Sequence, residues 1–89
     1  MHTVITVMGQ DRVGILARIA GVCAGHSVNV LEVTQSVRQD TFAMMMMVDL
    51  TGASVPFDEF AHSLKTAGVE IGQTIHVMRR EVFDAMHTV

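Results

Sequence analysis

The sequence predicts an α+β fold in which four antiparallel strands form one sheet and two helices cover one of its faces. Apolar and β-branched runs typical of strands alternate with wider, helical apolar spacing, in the order strand, helix, strand, strand, helix, strand. The connections are short, and no low-complexity segment interrupts them. Two successive strand–helix–strand units are typical of the ferredoxin-like βαββαβ sandwich. We therefore expect a single domain over residues 1–89, with a core of 3–77 and a carboxyl-terminal tail of 78–89.

The first strand is predicted over residues 2–8, and the first helix is predicted to run to about Ala24 with Asp11 as its cap. The residues expected on the apolar side of this helix are Leu16, Ile19, Ala20 and Cys23. Gly25 suits the left-handed conformation that commonly ends a helix.

Residues 28–37 and 41–50 are predicted to form two long strands joined by a polar turn at 38–40. Successive side chains of a strand point to opposite faces. One face is expected to carry Phe42, Met44, Met46, Val48 and Leu50, and the other Ala43, Met45, Met47 and Asp49. Because both faces are apolar, we expect a second subunit, assisted by the tail, to cover the face that lacks helices.

The second helix is expected to begin at Pro56, whose missing N–H is tolerated in a first turn, with Asp58 and Glu59 complementing the helix dipole. The residues expected to face inward are Phe57, Phe60, Leu64 and Ala67. Gly68 is expected to end the helix, and residues 71–77 are expected to form the last strand. The tail is predicted to add a short amphipathic turn through Val82, Phe83 and Met86.

The chain has 89 residues, of which 49% are apolar, and a formal net charge of -3. A domain of this size buries only a little over ~60% of the surface that its unfolded chain exposes, so association with a second copy would stabilise it. Its lysine and arginine residues are scattered along the sequence, apart from the pair Arg79 and Arg80. The sequence therefore predicts no basic patch for binding nucleic acid. No apolar run reaches the ~20 residues that cross a bilayer, and no secretion signal is recognisable. We therefore expect a cytoplasmic homodimer that contacts neither nucleic acid nor membrane.

Neither a cofactor nor a metal is predicted, and the chain is not expected to be an enzyme, because no hydroxyl or thiol has an obvious base partner. The thioethers of Met44–Met47 are soft ligands that suit Cu(I), but alternation divides them two and two, so ordinary packing is favoured. His2 and His76 are expected to lie close together on neighbouring strands, although two imidazoles without a carboxylate make a poor site. Cys23 is the only cysteine, which excludes an internal disulfide.

A polar turn bracketed by Gly9 and Gly14 joins the first strand to the first helix. Backbone N–H groups at the start of a helix lack partners within it and favour a carboxylate or phosphate. A phosphate-binding P-loop is excluded because Ile15 and Leu16 stand where lysine and a hydroxyl are needed. A dinucleotide fingerprint is excluded because Asp11 takes the place of its second glycine. The turn therefore predicts a site for a small ligand that carries an anionic group.

The strand Val4–Met8 is followed by Gly9-Gln10-Asp11-Arg12-Val13-Gly14-Ile15-Leu16, then by Ile19-Ala20, and then by Val28-Asn29-Val30. This order of a strand, a polar D-R-x-G-I/V-L segment and a G-x-N-I/V turn resembles the ACT domain family, small regulatory modules that often bind amino acids. The resemblance covers residues 3 to about 77. More closely, the chain is similar to stand-alone bacterial ACT proteins and to one half of the two-domain repressor of the glycine cleavage system.

The resemblance implies that an amino acid binds between two domains, contacted by the strand-to-helix loop of one and the helix-to-strand turn of the other. The predicted ligand-binding residues are Gly9, Gln10, Asp11, Arg12, Val13, Gly14 and Asn29. Loop N–H groups would receive the ligand carboxylate, Asp11 would accept from its ammonium, and the Asn29 amide could do both. We therefore expect a homodimeric sensor of an amino acid or similar small zwitterion. The alternative is a ligand-free interaction module that docks a separate metabolic enzyme or regulator.

Overall fold

The computed structural model describes residues 1–87. Its elements are β1 (His2–Gln10), α1 (Ile15–Gly25), β2 (Asn29–Arg38), β3 (Thr41–Asp49), α2 (Phe57–Glu70), β4 (Gln73–Arg79) and α3 (Arg80–Met86). The strands form one antiparallel sheet in the order β2-β3-β1-β4. The predicted ferredoxin-like βαββαβ fold is therefore confirmed. The last two residues of the predicted tail, 88–89, lie outside the described residues.

The core lies between the sheet and helices α1 and α2. The strand side chains buried there include Ile5, Val7, Phe42, Met44, Met46, Val48 and Ile75. The helices contribute Ile15, Ile19, Cys23, Phe60, Leu64 and Ala67. The predicted alternation along β3 is confirmed, because Met44 and Met46 are buried while Met45 between them is exposed. The methionine run is thus a strand that contributes alternate residues to the core.

The opposite, open face of the sheet is covered at one end by α3. Val4 lies on this face, where it pairs with Met47 and Met78, yet it is buried. Since α3 contacts both β1 and β4, this short helix shields the Val4 end of the open face. The helical turn predicted in the tail is therefore present, with Phe83 half-buried.

Helix α1 begins later than predicted, and Asp11 does not cap it. Strand β1 continues to Gln10, and the Asp11 amide then donates to the carbonyl oxygen of Asp40 at 2.8 Å. This bond holds Asp11 in the sheet register, so the helix begins only at Ile15, after Gly14 has turned the chain with a φ of 90°.

The expected apolar side of α1 was also partly wrong. Leu16 is 36% exposed, and Ala20 is only half-buried. The buried residues recur at intervals of four, at Ile15, Ile19 and Cys23. Ile15 takes the inward position that the sequence pattern assigned to Leu16, because residues four apart share a helix face and Ile15 lies one turn before the buried Ile19.

Both predicted helix-ending glycines are corrected. Gly25 is the last residue of α1, and Ser27 takes the left-handed conformation instead, with Val28 and Ser27 amides donating back to helix carbonyls. Helix α2 continues past Gly68 to Glu70, and Gly72 has the positive φ. A Cβ at Gly68 would lie 2.8 Å from the side chain of Ile75, so this glycine permits close packing of α2 on β4.

Burial raises the pKa of the Cys23 thiol from 9.0 to about 11. We expect the native protein to react slowly with a disulfide reagent at pH 8 and the urea-unfolded protein to react at once. Because the unfolded thiol loses its proton at the lower pH, stability should fall as pH rises from about 9 to about 11. Chemical denaturation across this range, compared with Cys23→Ala, measures the effect. If the free energy of unfolding depended on pH equally in the natural protein and in Cys23→Ala, the assignment of this effect to Cys23 would be wrong.

No helix within residues 1–87 combines the length and apolarity that a membrane crossing requires.

Candidate functional site

The loop between β1 and α1 is anchored at Gly9. A Cβ on this residue would lie 2.6 Å from the carbonyl oxygen of Gly72 and 2.7 Å from Oε1 of Gln73. The buried Gln73 side chain also donates from Nε2 to the carbonyl oxygen of Gln10 at 2.7 Å. The end of β1 is therefore tied directly to the turn between α2 and β4, which gives the loop a fixed starting point.

The amino-terminal end of α1 is open. Its capping residue, Gly14, provides no side-chain hydrogen bond, and the first turn of the helix contains no acidic residue. A Cβ built at Gly14 would have no atom within 4 Å, so the space beside this residue is free. Unpaired N–H groups and the positive end of the helix dipole thus face an accessible surface, which suits an anionic group.

Arg12 supplies a cation beside this helix end. Its Nη1 lies 3.6 Å from the position that a Cβ on Gly72 would occupy, so the guanidinium lies against the α2–β4 turn. Within residues 1–87, Arg12 forms no ion pair. Asp11 and Val13 are exposed on either side of it. The loop therefore presents one cation, one carboxylate and one bare apolar side chain to the surface.

Asn29 lies at the opposite end of the sheet from this loop. Asn29 and His2 are both opposite Asp49, whereas Gln10 and Arg38 are both opposite Thr41. The nine residues His2–Gln10 make eight steps of ~3.3 Å each, so they span about 26 Å. The structure thus brings Gly9–Gly14 together and separates Asn29 from them within one chain.

The predicted proximity of His2 and His76 is wrong. His76 pairs with Thr6, so four residues of β1, or about 13 Å of strand, separate the two histidines along the sheet. The error arises because β4 begins at Gln73, two residues later than predicted. Among residues 1–87, no three His, Cys, Asp or Glu side chains are grouped closely enough to hold a metal.

A histidine contact joins the carboxyl-terminal end of α1 to α2. His26 Nε2 lies 3.2 Å from the Ser63 hydroxyl, which donates to the Glu59 carbonyl oxygen at 3.1 Å. Which of the two groups donates in this contact depends on the tautomer of the imidazole. The pair ties the end of α1 to α2.

The open face of the sheet contains a groove that sequence reasoning missed. Its cavity volume is about 640 Å³. The open-face residues that line it are Thr6, Met8, Thr34, Ser36, Ala43, Met45, Thr74 and His76. They come from all four strands, so only the strand register could have identified them as neighbours. We call this the open-face groove.

Comparisons with known proteins agree with this architecture. A UPF0237 protein of Methanopyrus kandleri is 43% identical over 88 residues, which covers 99% of this chain and 98% of that protein. An ACT domain protein from Streptococcus pneumoniae superposes with a TM-score of 0.81 at 26% identity, over 94% of each chain. A structure described as a glycine cleavage system transcriptional repressor has a TM-score of 0.73 at 19% identity, covering 85% of this chain and 43% of that one. This last likeness shows the fold alone.

The fold is that of a small βαββαβ domain whose first helix has an open amino-terminal end. The ACT domain family model matches residues 2–78. The chain therefore belongs to the ACT domain family, which confirms the resemblance found in its sequence.

Proposed function

We propose that this protein is a homodimeric sensor that binds an amino acid or similar small zwitterion at its subunit interface. The ligand would contact Gly9–Gly14 of one protomer and Asn29 of the other. The observation that carries this proposal is the placement of these two groups at opposite ends of one sheet. A single chain cannot join them, whereas a suitable second copy can.

Strand β2 provides a surface on which a second copy can bind. It lies at the edge of the sheet, ten residues long, and exposes the apolar side chains of Leu31, Val33 and Val37. An exposed edge of this length presents unpaired backbone donors and acceptors to another strand. Antiparallel pairing of β2 with its copy about a two-fold axis would place Asn29 of one protomer opposite Arg38 of the other. Arg38 is at the same end of the sheet as Gln10. The partner's Asn29 would therefore lie at the end of the sheet where the Gly9–Gly14 loop of the first protomer is.

The chemistry of the combined site suits a zwitterion. The α1 N–H groups and the Arg12 guanidinium would receive a carboxylate, and Asp11 would accept from an ammonium. The Asn29 amide carries both a donor and an acceptor and could bind either group. Opposite charges separated in this way would exclude ligands that carry only one of them.

Calorimetric titration with the twenty amino acids tests the proposal. We expect at least one amino acid to bind once per protomer. Asp11→Ala and Asn29→Ala should each weaken binding roughly tenfold to hundredfold, because each removes a hydrogen bond to a charged group. Asp58→Ala is the matched control, since it removes an exposed carboxylate from α2 and should leave the affinity unchanged. If none of the twenty amino acids gave a detectable heat of binding, the sensor proposal would be wrong, and the ligand-free docking module would be favoured.

A mixing experiment tests whether the site is shared between protomers. A dimer of one Asp11→Ala chain and one Asn29→Ala chain keeps one intact site, because each chain supplies the residue that the other lacks. After unfolding and refolding an equal mixture, about one quarter of the sites should regain full affinity. A site built within one chain would regain none.

A further inference from the structure

Three soft metal ligands lie in the open-face groove. They are Met8 from β1, Met45 from β3 and His76 from β4. Residues Met45 and His76 both pair with Thr6, one on each side of it. Met8 is two residues further along β1, so its side chain points to the same face. The register thus arranges the three side chains around one point above the sheet.

The spacing allows the three groups to meet at one ion. Met45 and His76 lie two strands apart, so their Cα atoms are about 10 Å apart at ~4.8 Å per strand, and both side chains must lean toward β1 to share an ion. Diagonal neighbours lie ~7–8 Å apart, within reach of long side chains. Met8 is diagonal to both Met45 and His76 by this register. Methionine has three rotatable side-chain bonds, so both thioethers can turn toward the imidazole.

All three side chains are available for binding. Met8 is 59% exposed and Met45 is 43% exposed, in contrast to Met44 and Met46, which are buried in the core. His76 is exposed, and within residues 1–87 its ring makes no hydrogen bond or ion pair. These thioethers are therefore not occupied in packing the core.

The remaining groove surface discriminates between kinds of cation. Apart from Met44, whose side chain is buried in the core, its other residues carry hydroxyl, amide or aliphatic side chains, and none of the residues that line the groove is a carboxylate. Protein sites for hard cations such as Mg²⁺ and Ca²⁺ usually include at least one carboxylate, which the groove lacks. Thioether and imidazole ligands suit Cu(I).

We propose that the open-face groove binds one Cu(I) ion through the Met8 and Met45 sulfur atoms and an imidazole nitrogen of His76. The Met44–Met47 run does not form this site, since only Met45 of the four takes part. The site lies on the sheet face, separate from the loop at Gly9–Gly14. The Cu(I) proposal can therefore be tested independently of the proposed amino-acid site.

The test is anaerobic Cu(I) titration of the full chain in competition with a chromogenic Cu(I) chelator. We expect one ion per chain. Met8→Leu, Met45→Leu and His76→Gln should each weaken the affinity by at least about tenfold, the lower bound for losing even an outer-shell partner. Leucine keeps most of the apolar volume, so the fold should survive. Met86→Leu is the control, because it removes an exposed thioether from α3, outside the groove.

Ag(I), a soft ion that does not change oxidation state here, provides a second measurement. With methyl-labelled methionine, NMR should show shifts of the Met8 and Met45 methyl signals and none at Met86. Shifts confined to other methionines would overturn the proposal. So would an unchanged Cu(I) affinity in a variant that combines Met8→Leu, Met45→Leu and His76→Gln. It would also fail if the variants dissociate an assembly while Cu(I) affinity stays the same, since the groove would then be a contact between copies. Amino-acid titration of the same variants separates this outcome from failure of the proposed sensor.

Discussion

Replacing Gly9 with alanine is expected to destabilise the protein by about 3 kcal/mol, near the upper end of ordinary overpacking costs. The added methyl group would lie 2.6 Å from a backbone oxygen at Gly72 and within 3 Å of the Gln73 side chain. Neither neighbour can yield freely, because Gln73 is buried and bonded to Gln10. Urea denaturation should show a lower midpoint with an unchanged slope. A domain of this size has ~4–13 kcal/mol of stability, so this loss is large.

Gly21→Ala is the matched control for Gly9→Ala. Gly21 lies within α1, and a Cβ there would meet no atom within 4 Å. The same substitution should therefore stabilise the protein by ~0.5–1 kcal/mol through helix propensity. Equal effects of the two substitutions would contradict the close approach of β1 to the α2–β4 turn.

The second large effect is expected within the methionine run. Met46→Ala should cost ~2–5 kcal/mol, because the side chain is fully buried and its removal leaves a cavity. Met45→Ala should cost less than about 1 kcal/mol, because that side chain is exposed on the other face. The two variants differ by one position and remove the same atoms, so thermal or urea unfolding compares them directly.

Similar losses at Met45 and Met46 would show that the open face is as fully covered as the core. Repeating the measurement at low and high protein concentration would then reveal whether a second copy provides the cover. If two copies pair through β2 as proposed above, the open face stays uncovered, and the difference between the two variants should be the same at both concentrations. A difference that narrows at high concentration would instead support the covering subunit expected from the sequence.

The order of elements and the faces of β3 could be predicted from the sequence because they depend on local periodicity. Alternation along Phe42–Leu50 survives any small error in where the strand begins. Helix ends were less predictable, because tertiary hydrogen bonds decided them. The bond from Asp11 to Asp40 prolonged the sheet register, and Ser27 took the left-handed conformation that glycine usually adopts.

The candidate sites show the same division between local and non-local information. Gly9–Gly14 is contiguous in the chain, so its loop could be recognised from the residues alone. The grouping of Met8, Met45 and His76 depends on the pairing of three strands, and a shift of two residues in β4 misplaced His76. The separation of Asn29 from the loop likewise follows from strand direction, which becomes clear only when the whole sheet is assembled.

The buried position of Cys23 makes this protein convenient to label at a chosen point. Cys23 is the only cysteine of the chain, and its thiol is buried and has a raised pKa. The thiol should therefore remain unreactive toward maleimides while the protein is folded. A cysteine introduced at the fully exposed Val13 would then be the single reactive group on the native surface. A fluorophore attached there would report occupancy of the neighbouring loop by its emission, without first removing the natural thiol.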